Sequence, residues 1–247
     1  MNVSVAPSKP VSVQGAENIS VAASGRIIKV ADLGNGKIRY PSEWTDLIDW
    51  EWPEGETGLL TSLGTVQEDI DCALPYVEKK TIAIQAGGAC GMYPKYLAQH
   101  FEYVYTFEPN PTLFRCLCAN CPEDNIFKLN AALASRDYDG AHLVCGAEKY
   151  KANLGAWYVD KGGAIPCLEI DDIGLKRVDL IYLDIEGGEE QALAGATETI
   201  KEYRPVIVVE DKIKTRRGRE PWVTNWCDRM NYRIAETIKR DLVLVHE

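Results

Sequence analysis

The chain has 247 residues and a mass of 27.5 kDa, which suits one α/β domain with appendages, and its 46 % apolar content is enough to bury a core. A formal net charge of -10 argues against a grip on nucleic acid through the whole surface, though not against a local basic patch. No apolar run is long enough to span a bilayer, and the start Met1-Asn2-Val3-Ser4-Val5-Ala6-Pro7 lacks the basic and apolar regions of a signal peptide. A cytoplasmic location with no membrane partner is therefore expected, and the 8 cysteines are expected as reduced thiols. Cys116, Cys118 and Cys121 fall on one expected helix at spacings that do not share a face, so they read as packing residues rather than a zinc site.

Residues 1–64 read as an extension and 65–247 as the main domain. The extension holds short β-favouring pieces such as Ile27-Ile28-Lys29-Val30, separated by Ser, Pro, Gly and Asn. Trp44, Trp50 and Trp52 concentrate aromatic surface that is expected to cover one end of the core, with a lid or an oligomer contact as the alternative. Val66, Ile70, Ala73-Leu74 and Val77 have helical spacing.

The run Ile82 to Ile84 is a strand that breaks into Gln85-Ala86-Gly87-Gly88-Ala89-Cys90-Gly91-Met92-Tyr93, and Pro94 stands in the first turn of the helix that follows. Strand, glycine loop and helix form the opening unit of a parallel α/β sheet, in which a close backbone turn and a helix N-terminus face a nucleotide-type ligand. Tyr103 to Phe107 is the second strand. Glu108 at its tip stands where such folds place a carboxylate on the two hydroxyls of a ribose. Pro109 and Asn110 lead to a helix over Thr112 to Cys121, with Leu113 and Leu117 inward. Asn125 to Asn130 is a third strand, and the Asn130 side chain has the donor and acceptor to meet an adenine edge.

Residues 134–170 leave the core pattern and read as an insertion facing substrate. Val178 to Leu183 is a buried strand ending in Asp184-Ile185-Glu186-Gly187-Gly188, and Glu189 opens a helix through Ala192, Leu193, Ala196 and Ile200. Pro205 to Val209 is a fifth strand ending on Glu210-Asp211. Trp222 to Met230 is helical, and Tyr232 to Glu236 pairs with Leu242 to Val245 as an antiparallel hairpin. That ending departs from nicotinamide enzymes, which continue with parallel βα units.

With these residues in place the chain resembles class I S-adenosylmethionine-dependent methyltransferases of the FkbM family, from about Lys79 to His246. The resemblance rests on Ile84 to Tyr93, Phe107-Glu108-Pro109-Asn110-Pro111, Asn130-Ala131-Ala132-Leu133, Leu168 to Asp172, Tyr182-Leu183-Asp184-Ile185-Glu186-Gly187 and Arg204 to Glu210. It implies a Rossmann-like sheet of seven strands, the last antiparallel, with S-adenosylmethionine as cofactor and a hydroxyl of a sugar or small molecule as acceptor. It assigns the cofactor to Gln85, Gly87, Gly88, Ala89, Gly91 and Tyr93 around the loop, to Glu108 and Pro109 at the ribose, and to Asn130 and Ala131 near the adenine. The family normally has an Asp where Gln85 stands and an Asn where Ala89 stands. Gln85 can accept a hydrogen bond but loses its charge-assisted part, which points to weaker cofactor binding.

Methyl transfer needs the acceptor oxygen aligned with the methyl carbon and helped by a base. Asp184 is the first candidate and Glu186 the second, with capping of the next helix as the structural alternative for Glu186. No metal is assigned, although several rim carboxylates are also a Mg²⁺ donor set. Glu210 and the basic loop Lys212 to Arg219, with Arg216 and Arg217, are assigned to an acceptor that is phosphorylated or otherwise anionic. The alternatives are a nucleic-acid methyltransferase that uses the basic loop, and a non-catalytic binding module on the same fold.

Overall fold

The computed structural model describes residues 27–29, 50–54, 66–145, 153–210 and 222–247. In chain order the elements begin with β1 (Ile27–Lys29), β2 (Glu51–Pro53), α1 (Val66–Asp71), β3 (Ile82–Ala86), α2 (Met92–Leu97), β4 (Tyr103–Phe107), α3 (Pro111–Asn120) and β5 (Ile126–Leu129). An insertion follows with β6 (Ala132–Leu133), β7 (Ala141–Cys145), β8 (Trp157–Lys161) and β9 (Cys167–Leu168). The chain ends with β10 (Leu180–Leu183), α4 (Glu189–Ala194), α5 (Thr197–Tyr203), β11 (Val206–Glu210), α6 (Trp222–Met230), β12 (Tyr232–Ile238) and β13 (Asp241–His246).

Seven of these strands make one sheet in the order β12-β13-β11-β10-β3-β4-β5. The five strands from β11 to β5 are parallel, and β13 runs antiparallel to both of its neighbours. This is the Rossmann-like sheet of seven strands, the last antiparallel, that the family resemblance implies. Because side chains alternate across a strand, a sheet covered on both faces needs apolar residues at every position. In β10 the alternation is complete: Leu180 and Tyr182 join one core cluster while Ile181 and Leu183 join the other. β11 repeats this with Val206 and Val208 against Ile207 and Val209. One cluster packs beneath α1, α2 and α3, the other beneath α4, α5 and α6.

The N-terminal tryptophans belong to the first cluster. Trp50 and Trp52 are buried, and Asn120 of α3 clasps the backbone between them by accepting from Glu51 N at 2.7 Å and donating to Glu51 O at 2.9 Å. Trp44 lies outside the described residues. Cys116 and Cys121 are buried in the same packing and Cys118 is at the surface.

Two helices differ from the sequence expectation. The helix expected up to Val77 stops at Asp71, and Leu74–Tyr76 continue as one 3-10 turn. Pro75 explains the change, because proline inside an α-helix removes a bond and clashes with the preceding turn. The single helix expected from Glu189 to Ile200 is two, α4 and α5. Gly195 between them passes so close to the insertion that a Cβ there would lie 2.4 Å from the Ala134 carbonyl oxygen. The insertion itself is a hairpin, β7 against β8, standing on the short parallel pair β6 and β9. Among the described residues no helix is long and apolar enough to cross a membrane.

Candidate active site

The carboxyl ends of β3, β4 and β10 open onto one cavity of roughly 950 Å³, mouth included. Its floor is set by the glycine loop. Gly87 has φ 83°, and a Cβ on it would sit 2.0 Å from the Asp184 carbonyl oxygen, so the loop and the end of β10 touch backbone to backbone. Only glycine fits both the conformation and the gap. Gly87 N and Gly88 N both donate to Phe107 O at 3.0 Å, which ties the loop to the end of β4.

Glu108 follows Phe107 and stands on the cavity wall at 5 % exposure. Its Oε2 accepts from Ala89 N at 2.8 Å and its Oε1 from Asn110 N at 2.7 Å. Burial pushes the carboxyl up to about 7, against the pull of those two backbone donors. Asn110 then caps α3, its Oδ1 accepting from Thr112 N at 2.9 Å, with Pro111 in the first turn. Thus the Glu-Pro-Asn-Pro run turns the chain from strand to helix while aiming one carboxylate at the cavity.

Opposite lies an acidic rim. Asp184 and Glu186 line the cavity, and their carboxylate oxygens lie with that of Glu210 within 4.8 Å of one another. Glu210 also pairs with Arg240 at 3.4 Å. Three oxygens this close can share a divalent cation or a proton. Glu186 has φ 60°, and Glu189 Oε1 accepts from Ile185 N and Gly187 N, each at 3.1 Å, which braces the turn that carries Glu186.

The remaining wall comes from the insertion, with Tyr138, Leu143, Leu154, Trp157 and Val159. Residues 134–170, expected to face substrate, thus supply part of the cavity wall.

Of the loop and cofactor candidates, Gly87, Ala89, Tyr93, Glu108, Pro109 and Ala131 face the cavity. Four candidates do not. Gln85 is fully buried, with Oε1 accepting from Thr106 Oγ1 at 2.5 Å and Nε2 donating to Ala86 O at 3.0 Å, so its amide serves the sheet rather than a ligand. Gly88 packs where a Cβ would meet Thr106 Oγ1 at 2.7 Å, and Gly91 where one would meet Cys121 Sγ at 2.5 Å. Asn130 donates its Nδ2 to Glu108 O, 2.8 Å away, and so braces the Glu-Pro turn. Lys212, Arg216 and Arg217 lie outside the described residues.

The sequence reading did not single out Asp69, Tyr182 or Asp241. Tyr93 OH donates to Asp69 Oδ2 at 3.0 Å, and Tyr182 OH donates to Asp241 Oδ2 at 3.3 Å. Burial, with the charges of Asp69 and Glu210 beside it, raises Asp241 to about 7. Asp241 starts β13 directly opposite Glu210, a pairing that hairpin register supplies and local pattern does not.

A methyltransferase FkbM domain model matches residues 89–234. The chain belongs to the FkbM methyltransferase family. Among solved structures it is similar to a methyltransferase FkbM from Methylobacillus flagellatus KT, at 18 % identity and a TM-score of 0.45, over 75 % of this chain and 53 % of that one. It thus spans about half the length of that FkbM protein. A precorrin 8w decarboxylase from Methanobacterium thermoautotrophicum is similar at 12 % identity and TM-score 0.43, over 72 % and 89 % of the two chains. An rRNA methylase from Streptococcus thermophilus is similar at 11 % identity and TM-score 0.43, over 72 % and 92 %. No match was found among curated proteins.

FkbM methyltransferases use S-adenosylmethionine, and the cavity fits it by the chemistry of its donors. A buried carboxylate, Glu108, suits a pair of hydroxyls. Apolar Ala131, Leu133 and Leu143 suit an uncharged ring, and the acidic rim suits a cationic end.

Proposed function

We propose that this FkbM chain is an O-methyltransferase that moves the methyl group of S-adenosylmethionine to a hydroxyl of a small molecule or sugar. The observation that carries the reading is the closeness of the Asp184, Glu186 and Glu210 carboxylates, the first two of which line the same cavity as Glu108 and the glycine loop. The bound cofactor supplies an electrophilic methyl on a sulfonium. Glu108 holds the ribose hydroxyls, and the backbone crossing at Gly87 keeps the loop at a fixed distance from Asp184. Asp184 takes the proton of the attacking hydroxyl, with Glu186 orienting the acceptor. The insertion wall and Tyr93 keep water from the reacting atoms.

The phosphorylated acceptor proposed for Lys212, Arg216 and Arg217 is a finer step of the same reading, supported by their sequence position directly after Glu210. A labelled-methyl screen across sugars, sugar phosphates, phenols and RNA tests both steps. Transfer to a hydroxyl that disappears in Asp184→Asn supports the reading, and transfer to nitrogen or carbon alone overturns it.

A further inference from the structure

Three charged groups outside the family-matched stretch 89–234 gather behind Tyr93, which lines the cavity: Asp69, Lys239 and Asp241. Asp69 on α1 is 5 % exposed. Its Oδ2 accepts the Tyr93 hydroxyl at 3.0 Å, and its Oδ1 takes the Lys239 ammonium at 3.0 Å. Lys239 also stands 3.4 Å from Glu68. Lys239 occupies the turn between β12 and β13 with φ 55°, a left-handed conformation in which glycine or asparagine is at ease. Such a strained backbone persists where the surroundings over-determine it, and here it delivers an ammonium to a buried carboxylate.

The consequence falls on Tyr93, which lines the cavity and whose ring centroid is 5.1 Å from that of Tyr182. Burial, then the charges of Asp184, Asp69 and Asp241, hold the Tyr93 hydroxyl well above its usual range, so it keeps its proton. That proton is directed at Asp69. The hydrogen-bonding capacity left to the phenol oxygen is to accept. Gln85, where the family carries an acid, is turned into the sheet and offers nothing to a cation. The cationic end of a ligand is drawn to this side, since Asp184 and Glu186 line it and Leu133, Leu143 and Val159 on the insertion side carry no charge.

We propose that Asp69 and Lys239 are positioning residues that lock the Tyr93 hydroxyl as the acceptor for the ammonium of the cofactor's amino-acid end. The inference rests on the cofactor reading above and adds which side chains replace the missing acid.

Calorimetry on the full chain tests it with two probes, S-adenosylhomocysteine and 5′-methylthioadenosine, which lacks the amino-acid end. Tyr93→Phe and Asp69→Ala should each weaken S-adenosylhomocysteine about tenfold, as expected for a lost bond to a charged group, and leave 5′-methylthioadenosine within about twofold. Combining the two should weaken it no further, because both remove one contact. Asp69→Asn, which keeps an acceptor for the hydroxyl, should retain more affinity than Asp69→Ala and guards against a variant that fails to fold. Lys201→Met, breaking an exposed pair with Glu198, is the control and should change neither probe. Equal loss for both probes, effects that multiply in the double variant, or variants that bind S-adenosylhomocysteine like the parent would overturn the proposal. A parent chain that binds neither probe would instead sink the cofactor reading itself.

Discussion

The two sides of the cavity are built in different ways. The loop side, Gly87 to Glu108, is made by chain segments close in sequence and locked by backbone donors. Every oxygen of Glu108 has a backbone N–H on it, and the loop is tied to Phe107 and touches Asp184 through main chain. The acidic side has Asp184 and Glu186 on the cavity and Asp69, Glu210 and Asp241 behind them, and its order depends on side chains: two tyrosines, Lys239 and Arg240. Backbone geometry fixes a ligand site within a small tolerance, whereas side-chain geometry leaves groups that can rearrange around a reacting molecule. The first suits a constant cofactor and the second suits chemistry.

The largest expected effect breaks the loop side. Gly87→Ala places a Cβ 2.0 Å from a backbone oxygen at φ 83°, and should destabilise the protein by more than about 3 kcal/mol in urea unfolding. Gly162→Ala has nearly the same φ, 80°, but nothing within 4 Å, so its cost should be about 1 kcal/mol. The gap between the two measures the crossing itself.

Next comes the rim. Asp184→Asn should lower kcat by about 100-fold, the usual worth of a general base, while moving acceptor KM much less. Chelation with EDTA should leave kcat unchanged, because the proposed base needs no metal; a loss on EDTA restored by Mg²⁺ would reassign the three carboxylates as cation ligands.

A third test separates the two sides by pH. Glu108 has its folded-state value raised to about 7, from 4.5. The folded protein therefore holds a proton there that the unfolded chain releases, and stability of the ligand-free protein should fall as pH rises from about 4.5 to about 7. Glu108 supplies up to about 3 kcal/mol of that fall. Asp241, also raised to about 7, adds a fall of the same sign, so Glu108→Gln should flatten the melting-temperature profile only in part. Affinity for S-adenosylmethionine should run the other way, rising through pH 7 as the carboxylate that accepts ribose hydroxyls becomes charged, and levelling above it. A flat affinity between pH 6 and 8 would remove Glu108 from the cofactor site.

The smallest effect concerns Ala89. Its φ of 45° is a left-handed conformation in which Asn is several-fold enriched and Ala is strained. Ala89→Asn should stabilise the protein by about 0.5–1 kcal/mol in thermal unfolding, showing that the family's Asn serves the backbone as well as any ligand.

The same division explains how much of the molecule was legible in advance. Strands β3, β4, β10 and β11 announce themselves as apolar runs, and α6 was read as helical at Trp222 to Met230. Glu108 was readable because strand, tip and acid are consecutive. The strands inside the insertion were not, because residues 134–170 bury themselves partly against one another and partly against a cavity, and neither gives a period. Gln85 was misjudged for a related reason. Its place in the motif is fixed by sequence, but its direction is set by Thr106 on the neighbouring strand.

Sequence alone determined the parallel sheet, its antiparallel ending, the tight loop and the carboxylate at the second strand, since each follows from local sterics and hydrophobic alternation. Tertiary structure decided which of the acids meet. Asp69, Asp184, Glu210 and Asp241 are separated by 26 residues at the least, and only helix packing and hairpin register bring them near one another. Close approach of like charges is a property of the folded state that no stretch of chain carries by itself.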